Sequence, residues 1–240
     1  MSGKIDLSIY IPLFNEEEGV EYLKNELSAV LNSMKSIANL KIILVNDGST
    51  DKTPQLIEKF FSSEDYKIIH HEKNKNLGGF LRTALNDCTT EHIGFLDSDC
   101  TYHPKLMIEM ISKIQDGYDI VNASPYHPKG KVQNVGKVRL FLSRSVNRIY
   151  KIISGKNFYT TSSICKIYRT NIVKDIKLTR KNFVGVTELF TKSVLRTEKI
   201  YEFPCVLNAR IYGTSKMNVY ENIKDHIKYL FHYLRYKYEK

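Results

Sequence analysis

Residues 41–49 read KIILVNDGS and residues 92–99 read HIGFLDSD, so two apolar stretches each run directly into carboxylates. A buried strand that ends in Asp-x-Asp brings two carboxylates to the edge of a sheet, where hard cations and phosphates bind. Carboxylates are rarely buried in such a position unless a positive group lies beside them. The two stretches therefore predict a sheet edge that holds Mg²⁺ or Mn²⁺ together with a nucleoside diphosphate.

Strands and helices alternate through the first 125 residues. Residues 8–12 are predicted to form a strand, and Asn15 is expected to cap a helix whose first turn is residues 16–18. This alternation predicts an α/β fold with a Rossmann-like, mainly parallel sheet and flanking helices, whose ligands bind beyond the carboxyl ends of the strands. Further strands are predicted at 67–70 and from 119, and further helices near 53, 77 and 104.

The composition indicates a folded chain with a substantial core. Of its 240 residues, 42% are apolar and 11% aromatic, which excludes a disordered protein. The four cysteines show no CxxC spacing, so we expect neither a zinc site nor a disulfide framework, as in a reducing cytosol. The first residues lack the apolar core of a signal peptide, and no run approaches the ~18 apolar residues of a membrane span. We therefore expect a cytoplasmic protein, either soluble or lying on a membrane surface.

The net charge of +10 is unevenly divided along the chain. Residues 1–126 hold 12 Lys and Arg against 19 Asp and Glu, whereas residues 127–240 hold 24 against 7. A uniformly basic protein would suggest a nucleic-acid partner, and the acidic first half argues against one. The asymmetry predicts an acidic metal-binding half (1–126) joined to an anion-facing half (127–240) within one continuous domain, although a solvated lysine-rich surface would give the same count.

Two basic amphipathic helices are predicted in the second half, at residues 135–153 and 221–240. Apolar residues at helical spacing are interleaved with lysine and arginine in both. Such helices suit the anionic surface of a membrane. Packing against the first half or against a second copy would bury their apolar faces equally well. The sequence leaves these alternatives open, and also leaves open a membrane-protein partner.

Three motifs follow one another in the first half: PLFNE at 12–16, VNDGS at 45–49 and DSD at 97–99. Together they resemble the donor-site motifs of family 2 glycosyltransferases, and they are most similar to the dolichyl-phosphate mannosyltransferase-like branch of polyprenyl-phosphate glycosyltransferases. The resemblance implies a GT-A-type fold with a nucleotide-sugar donor-binding half (1–126) and an acceptor-binding half (127–240). It also implies an inverting, metal-dependent transfer of a sugar from a GDP- or UDP-linked donor to a dolichyl or undecaprenyl phosphate at the inner face of a membrane.

The same resemblance implies roles for individual residues. Asp97 and Asp99 would hold the metal and the diphosphate and act as catalytic residues. The nucleotide base would stack on Phe14 and donate a ring hydrogen bond to Asp47. Core packing of Phe14, a helix-dipole role for Glu16 and a turn role for Asp47 are the structural alternatives. The full donor-binding set is Pro12, Phe14, Glu16, Val45, Asp47, Asp97, Ser98 and Asp99.

The sequence departs from that family's pattern in places. Thr101 stands where the branch usually has a metal-binding glutamine, and Pro125 stands where related enzymes often have an arginine. Residues 162–169 resemble a family segment in which Lys166 replaces an arginine, and lysine lacks the fork geometry of arginine. Simple surface solvation is the alternative for each basic candidate. The candidates for binding the acceptor phosphate are Arg144, Lys166, Arg210 and Lys216.

The identity of the acceptor decides whether a catalytic base is needed. A lipid phosphate is already an anion, so the protein must mainly offset its repulsion from the donor diphosphate. A sugar hydroxyl on a polysaccharide or glycolipid would need a carboxylate base, for which Glu188 is the candidate. Glu188 could equally be a buried partner of a neighbouring Lys or Arg. A basic nucleic-acid-binding module is a remote third alternative.

Overall fold

The computed structural model describes residues 3–133, 136–212 and 219–238. Strands and helices alternate as predicted in the first half, and helices dominate the second. The strands are β1 (Ile5–Leu13), β2 (Ala38–Asn46), β3 (Tyr66–His70), β4 (His92–Phe95), β5 (Ile120–Ser124), β6 (Lys131–Val132), β7 (Lys166–Arg169), β8 (Ile200–Pro204) and β9 (Val206–Leu207). The helices are α1 (Val20–Ile37), α2 (Thr53–Phe60), α3 (Asn76–Asp87), α4 (Leu106–Gln115), α5 (Lys137–Ser154), α6 (Thr170–Val173), α7 (Val184–Ser193) and α8 (Val219–Tyr238).

Seven of these strands form one central sheet in the order β3-β2-β1-β4-β7-β5-β8. All neighbouring strands are parallel except β7, which runs antiparallel to both β4 and β5. The predicted α/β fold with a mainly parallel sheet is confirmed, whereas nothing in the sequence pattern predicts the reversed strand β7. Because Pro12 pairs with Val45, and Tyr10 with Phe95, the carboxyl ends of β1, β2 and β4 meet at one edge.

Helices cover both faces of this sheet, and each face has its own apolar core. On one face α1, α2 and α4 pack against the strands, and α1 buries Leu23, Leu27 and Met34 at helical spacing. On the other face α3 and α7 lie against the sheet, and α5 and α8 pack beyond them. Burial on both faces explains why β1, β2 and β4 are almost uninterrupted apolar runs.

The start of α1 differs from the prediction. The helix begins at Val20, and Asn15 is not its cap. Asn15 lies in the left-handed region with φ of 52°, and its side-chain oxygen accepts a hydrogen bond from the backbone N of Thr50 at 2.8 Å. An asparagine tolerates that conformation better than most residues, so the chain turns here instead of starting a helix. The turn brings Glu16 beside the start of α2, where its backbone N donates to Oγ1 of Thr53.

Helices α5 and α8 form close to the two predicted basic amphipathic segments. Both bury tyrosines completely, namely Tyr150, Tyr229 and Tyr233, and the hydroxyls of Tyr229 and Tyr233 bond to Thr191 of α7. Internal packing therefore accounts for one face of each helix. No helix in the described ranges combines the length and the hydropathy needed to cross a membrane. Outside the packed faces, large apolar side chains remain exposed at Phe141, Leu142, Ile149, Ile152, Ile223, Ile227, Phe231 and Tyr238.

Candidate active site

The acidic turn follows β4 directly. Oδ1 of Asp97 is buried and has no hydrogen-bond partner among the described residues, while Oδ2 accepts a hydrogen bond from the hydroxyl of Thr101. The backbone N of Thr101 donates to Oδ1 of Asp99 at 3.0 Å, so one threonine orients both aspartates. Burial, and then the charge of Asp99, raise the pKa of Asp97 well above its usual range. The turn thus holds negative charge that the protein around Asp97 does not fully compensate.

These two aspartates fit a hard divalent cation. The buried, unpartnered oxygen of Asp97 is the kind of ligand that Mg²⁺ or Mn²⁺ prefers, and Mg²⁺ usually takes one or two carboxylates and completes its shell with water and substrate phosphates. Across the parts of the chain that the structure describes, no group of three or more His, Cys, Asp or Glu gathers to hold a metal by itself. The metal role of Asp97 and Asp99 stays a prediction.

Arg210 reaches the same turn from the second half of the chain. Its Nε lies 2.8 Å from Oδ2 of Asp99, and its Nη1 lies 3.2 Å from Oε1 of Glu16. The segment before it is tied down because the backbone N of Asn208 donates to the carbonyl of Thr101 at 3.0 Å. Arg210 is therefore positioned where phosphates would meet the acidic turn, although its predicted contact with an acceptor phosphate stays a prediction.

The loops after β1 and β2 are joined by several hydrogen bonds. The backbone N of Asn15 donates to Oγ of Ser49 at 2.9 Å, and the backbone N of Glu16 donates to Oγ1 of Thr53 at 2.8 Å. Phe14 is only partly buried, so its ring is not a core residue. Pro12 and Val45 are register partners beneath these loops, and Ser98 is partly exposed in the acidic turn. The structure thus brings the predicted donor residues to one edge.

Asp47 is held by a residue that the sequence did not single out. Nδ1 of His71 lies 2.6 Å from Oδ1 of Asp47, and the backbone N of Lys75 donates to the same oxygen at 2.9 Å. A signal was present in the sequence, because His71 directly follows a predicted strand. Gly48 allows this close approach: its φ is +69°, and a Cβ there would lie 2.5 Å from the backbone of residues 73 and 74.

The comparisons with known proteins agree with this geometry. The model for "Glycosyl transferase family 2" matches residues 8–177, which is most of the chain and includes all three acidic motifs. The chain belongs to glycosyl transferase family 2. The resemblance that the three motifs carry is therefore confirmed at the level of the family.

Two curated relatives of this family 2 chain are named as lipid-phosphate enzymes. It is 25% identical to dolichol-phosphate mannosyltransferase of Pyrococcus furiosus over 97% of its length, and this match spans 62% of the relative. It is 27% identical to undecaprenyl-phosphate 4-deoxy-4-formamido-L-arabinose transferase of Yersinia enterocolitica over 70% of its length, which is 50% of that relative. The chain thus matches less than two thirds of either relative.

Solved structures support the GT-A-type fold of this family 2 member. Glucosyl-3-phosphoglycerate synthase of Mycobacterium tuberculosis, crystallised with Mn²⁺ and UDP, matches with a TM-score of 0.70 at 15% identity, over 96% of this chain and 79% of that one. The same enzyme with Mg²⁺ and UDP matches with a TM-score of 0.69 at 14% identity, over 96% and 78%. At such low identity the likeness establishes the fold alone.

Glu188 lies in the interior of the protein, and both of its carboxylate oxygens have hydrogen-bond partners. It accepts hydrogen bonds from the backbone N of Thr179 and of Arg180 and from the hydroxyl of Thr179, and it pairs with Nζ of Lys192 at 2.7 Å. Its exposed fraction is 0%. The structure shows the buried ion pair, which is one of the two alternatives, and the enclosed carboxylate does not favour the base, whose role stays untested.

The buried ion pair also explains what Glu188 does for the fold. By gathering two backbone N–H groups it fixes the segment that contacts the start of α3. Gly78 of that helix packs so closely that a Cβ would lie 2.1 Å from the carbonyl of Arg180. The backbone N of Gly78 also donates to the carbonyl of Lys181 at 2.8 Å. Glu188 therefore supports α3, whose first turn lies near Asp47.

Lys166 is also not at the surface. Its Nζ donates to the backbone carbonyls of Thr161 and Ser163, and burial lowers its pKa to about 7. An ammonium bound by two backbone carbonyls is not presented to a lipid phosphate, so this arrangement does not favour the predicted acceptor contact. Arg144 is exposed on α5 and remains a candidate, and Lys216 lies outside the described residues.

Proposed function

We propose that this chain transfers a sugar from a nucleoside-diphosphate sugar to a polyprenyl phosphate, with inversion at the anomeric carbon. The observation that carries the proposal is the pair of aspartates at the shared carboxyl edge, one with a buried oxygen for which the described residues offer no partner. Such an oxygen is costly unless a cation binds it, and a diphosphate supplies the remaining ligands of that cation. The names of two curated relatives support the lipid acceptor.

On the donor side, Asp97 and Asp99 would hold Mg²⁺ or Mn²⁺, which would neutralise the leaving diphosphate. The loop that carries Phe14 would stack against the base, while Asp47 would accept a hydrogen bond from the ring. Glu16 would contact the base or ribose. The carboxylates of Glu16 and Asp99 both contact the guanidinium of Arg210. The donor diphosphate and the acceptor phosphate would therefore both lie near this arginine.

On the acceptor side, a lipid phosphate would act as its own nucleophile. Its anionic oxygen needs no strong base, which agrees with the enclosure of Glu188. The acceptor phosphate instead needs a positive group that offsets its repulsion from the donor diphosphate. Arg210, which lies beside Asp99, would supply that charge. Arg144 and Lys216 are the other proposed contacts. A sugar hydroxyl acceptor is the alternative outcome, and it would require a base that Glu188 is not placed to provide.

A panel of sugar nucleotides tests this proposal directly. The purified protein is offered UDP- and GDP-linked sugars with Mn²⁺, together with either polyprenyl phosphate or an oligosaccharide, and release of the nucleoside diphosphate is followed. We expect release that depends on both Mn²⁺ and the lipid phosphate. Turnover that needs only the oligosaccharide would replace the lipid acceptor with a hydroxyl, and no turnover with any donor would contradict the transferase assignment.

We also propose that α5 and α8 lie on the cytoplasmic face of an anionic membrane, where the lipid acceptor is found. Their exposed stripe, defined as Phe141, Ile149, Ile152, Ile227 and Phe231, is not explained by the tyrosine packing on the opposite faces. Lysines and arginines flank the stripe, and each near the headgroups contributes about 1 kcal/mol of attraction. The comparisons give no support to a membrane-protein partner, so none is proposed.

Flotation with vesicles of phosphatidylglycerol tests the membrane surface. We expect the wild type to float, and the Phe141→Ser, Phe231→Ser double variant to lose roughly tenfold in partitioning because two exposed rings no longer enter the interface. Val206→Ser is the matched control, since Val206 is also exposed but lies off the two helices. Equal flotation of both variants, or none by the wild type, would remove the membrane claim.

A further inference from the structure

Both hydrogen bonds that Asp47 receives fall on the same oxygen. His71 and the backbone N of Lys75 contact Oδ1, and within residues 3–133, 136–212 and 219–238 no group donates to Oδ2. The exposed fraction of the Asp47 residue is only 4%. The carboxylate is therefore locked with one oxygen used by the protein and the other left to a ligand.

His71 is itself fixed from both sides. Its side chain is 3% exposed, and Nε2 lies 2.8 Å from the hydroxyl of Thr83 on α3. Its backbone N donates to the carbonyl of Asn46 at 2.9 Å, which extends the β2–β3 ladder by one residue. Asn46 and His70 are register partners, so Asp47 and His71 follow side by side at the carboxyl edge.

The hydrogen-bond roles follow from the acceptor. A carboxylate oxygen only accepts, so the proton between Asp47 and His71 belongs to Nδ1 of the imidazole. In neutral His71, Nε2 then accepts from the hydroxyl of Thr83, and in the cation it donates to that hydroxyl. In both states Nδ1 donates to Oδ1. The hydroxyl of Thr83 thus helps to hold the imidazole ring in the orientation in which Nδ1 contacts Oδ1 of Asp47.

We propose that His71 is a positioning residue that gives the donor site its preference for a nucleotide base. By holding Oδ1, it presents Oδ2 to a base that carries a ring N–H, such as uracil or guanine. It disfavours cytosine and adenine, whose corresponding nitrogen accepts hydrogen bonds. The proposal deepens the function proposed above and rests on it, because it requires that Asp47 faces a nucleotide.

The chain supplies a matched set of variants. In His71→Asn the amide nitrogen stands where Nδ1 stood, so the donor to Asp47 is kept; in His71→Leu it is lost. Thr83→Val removes only the hydroxyl on the far side of the ring. His70→Leu is the control, because the neighbouring histidine bonds to Asn46 and Glu58 and not to Asp47.

The experiment is calorimetric binding of UDP, GDP, CDP, ADP and inorganic pyrophosphate, each with Mn²⁺. We expect His71→Leu to lower the preference for UDP or GDP over CDP and ADP by roughly tenfold, as for loss of a hydrogen bond to a charged group. Binding of pyrophosphate should stay unchanged. His71→Asn should restore the preference, Thr83→Val should lower it less, and His70→Leu should leave it alone.

Each contrary result has its own meaning. Unchanged base preference in a folded His71→Leu protein would overturn the inference, as would a failure of His71→Asn to restore it. Equal weakening of pyrophosphate binding would overturn it too, because His71 would then support the whole site and not the base. If the wild type bound no nucleoside diphosphate at all, the proposed function would fail first. A melting scan of each variant identifies those that do not fold, and Thr83→Val then carries the test.

Discussion

Two carboxylates in this molecule have buried oxygen atoms, and their surroundings are opposite in kind. Glu188 is surrounded by two backbone N–H groups, a hydroxyl and the ammonium of Lys192. Within the described residues, Asp97 has a hydroxyl on one oxygen and no partner on the other, with the charge of Asp99 close by. A carboxylate that is fully satisfied holds the fold together, whereas one left short of partners marks where a ligand belongs.

The largest effect is expected when a carboxylate of the acidic turn is neutralised, compared with a carboxylate at the surface. Asp99→Asn should reduce release of nucleoside diphosphate roughly a hundred- to thousandfold, because the charge that holds the metal is halved at the leaving group. Steady-state turnover with saturating Mn²⁺ measures it. Asp116→Asn is the control, since the exposed Asp116 lies at the carboxyl end of α4 and pairs with Lys113 of the same helix. Full activity of Asp99→Asn would refute the metal assignment.

The next effect concerns the satisfied carboxylate. Glu188→Gln should destabilise the protein by about 3 kcal/mol, because the buried ammonium of Lys192 loses its ionic partner. Chemical denaturation measures the free energy of unfolding. Glu198→Gln breaks the pair that the exposed Glu198 makes with Lys156 and should cost less than about 1 kcal/mol. A stable Glu188→Gln protein that has lost turnover would instead revive the catalytic base and the hydroxyl acceptor.

The smallest effect has the opposite sign. In the absence of metal, Asp97→Asn should stabilise the protein by about 1 kcal/mol at neutral pH, because a neutral amide is cheaper to bury than a charge. The raised pKa of Asp97 means that the folded state keeps a proton that the unfolded state releases above about pH 3.9. The contribution of Asp97 to the free energy of unfolding of the wild type therefore falls as the pH rises from about 3.9 through the raised pKa.

Melting scans of the wild type and Asp97→Asn across that pH range check the sign. The gap between the two melting temperatures should widen as the pH rises and close again when Mn²⁺ is added, because the cation compensates the wild-type carboxylate. A gap that stays constant with pH would show that burial of the Asp97 charge does not destabilise the fold. If Asp97→Asn were less stable than the wild type, Asp97 would stabilise the fold as Glu188 does, and the difference drawn between the two carboxylates would be wrong.

The sequence predicts the parts of the molecule that follow from local periodicity. Apolar runs ending in carboxylates place Asp47, Asp97 and Asp99 at one edge, since parallel strands share the direction of their carboxyl ends. Local periodicity does not predict the contacts between segments that are distant in the sequence. Nothing local reveals that Arg210 reaches Asp99. His71 follows a predicted strand, but its pairing with Asp47 depends on register and loop path, which the local pattern does not give.

Some residues lie where their type alone does not suggest, and the reason is physical. Lys166 and Glu188 are charged, and charged residues are usually exposed, so residue type favours a role at the surface, although burial beside a Lys or Arg is one of the two alternatives predicted for Glu188. Burial is decided by tertiary packing: Lys166 lies on β7, an interior strand bordered by β4 and β5, and α7 is enclosed between α3 and α8. Asn15 matches a helix cap by residue type, but its left-handed backbone and its bond to Thr50 place it in a turn.

The position of β7 bears on how this chain is made. Strand β5 has two neighbours in the sheet, β7 and β8, and both come later in the sequence, beginning at Lys166 and Ile200. A ribosome that has released only residues 1–126 has therefore made β5 without either strand that will border it. We expect this nascent piece to expose edges of β4 and β5, which are prone to aggregation until they are paired. The first 126 residues thus depend on later ones to border β5, and the sheet is completed only after β8 has been made.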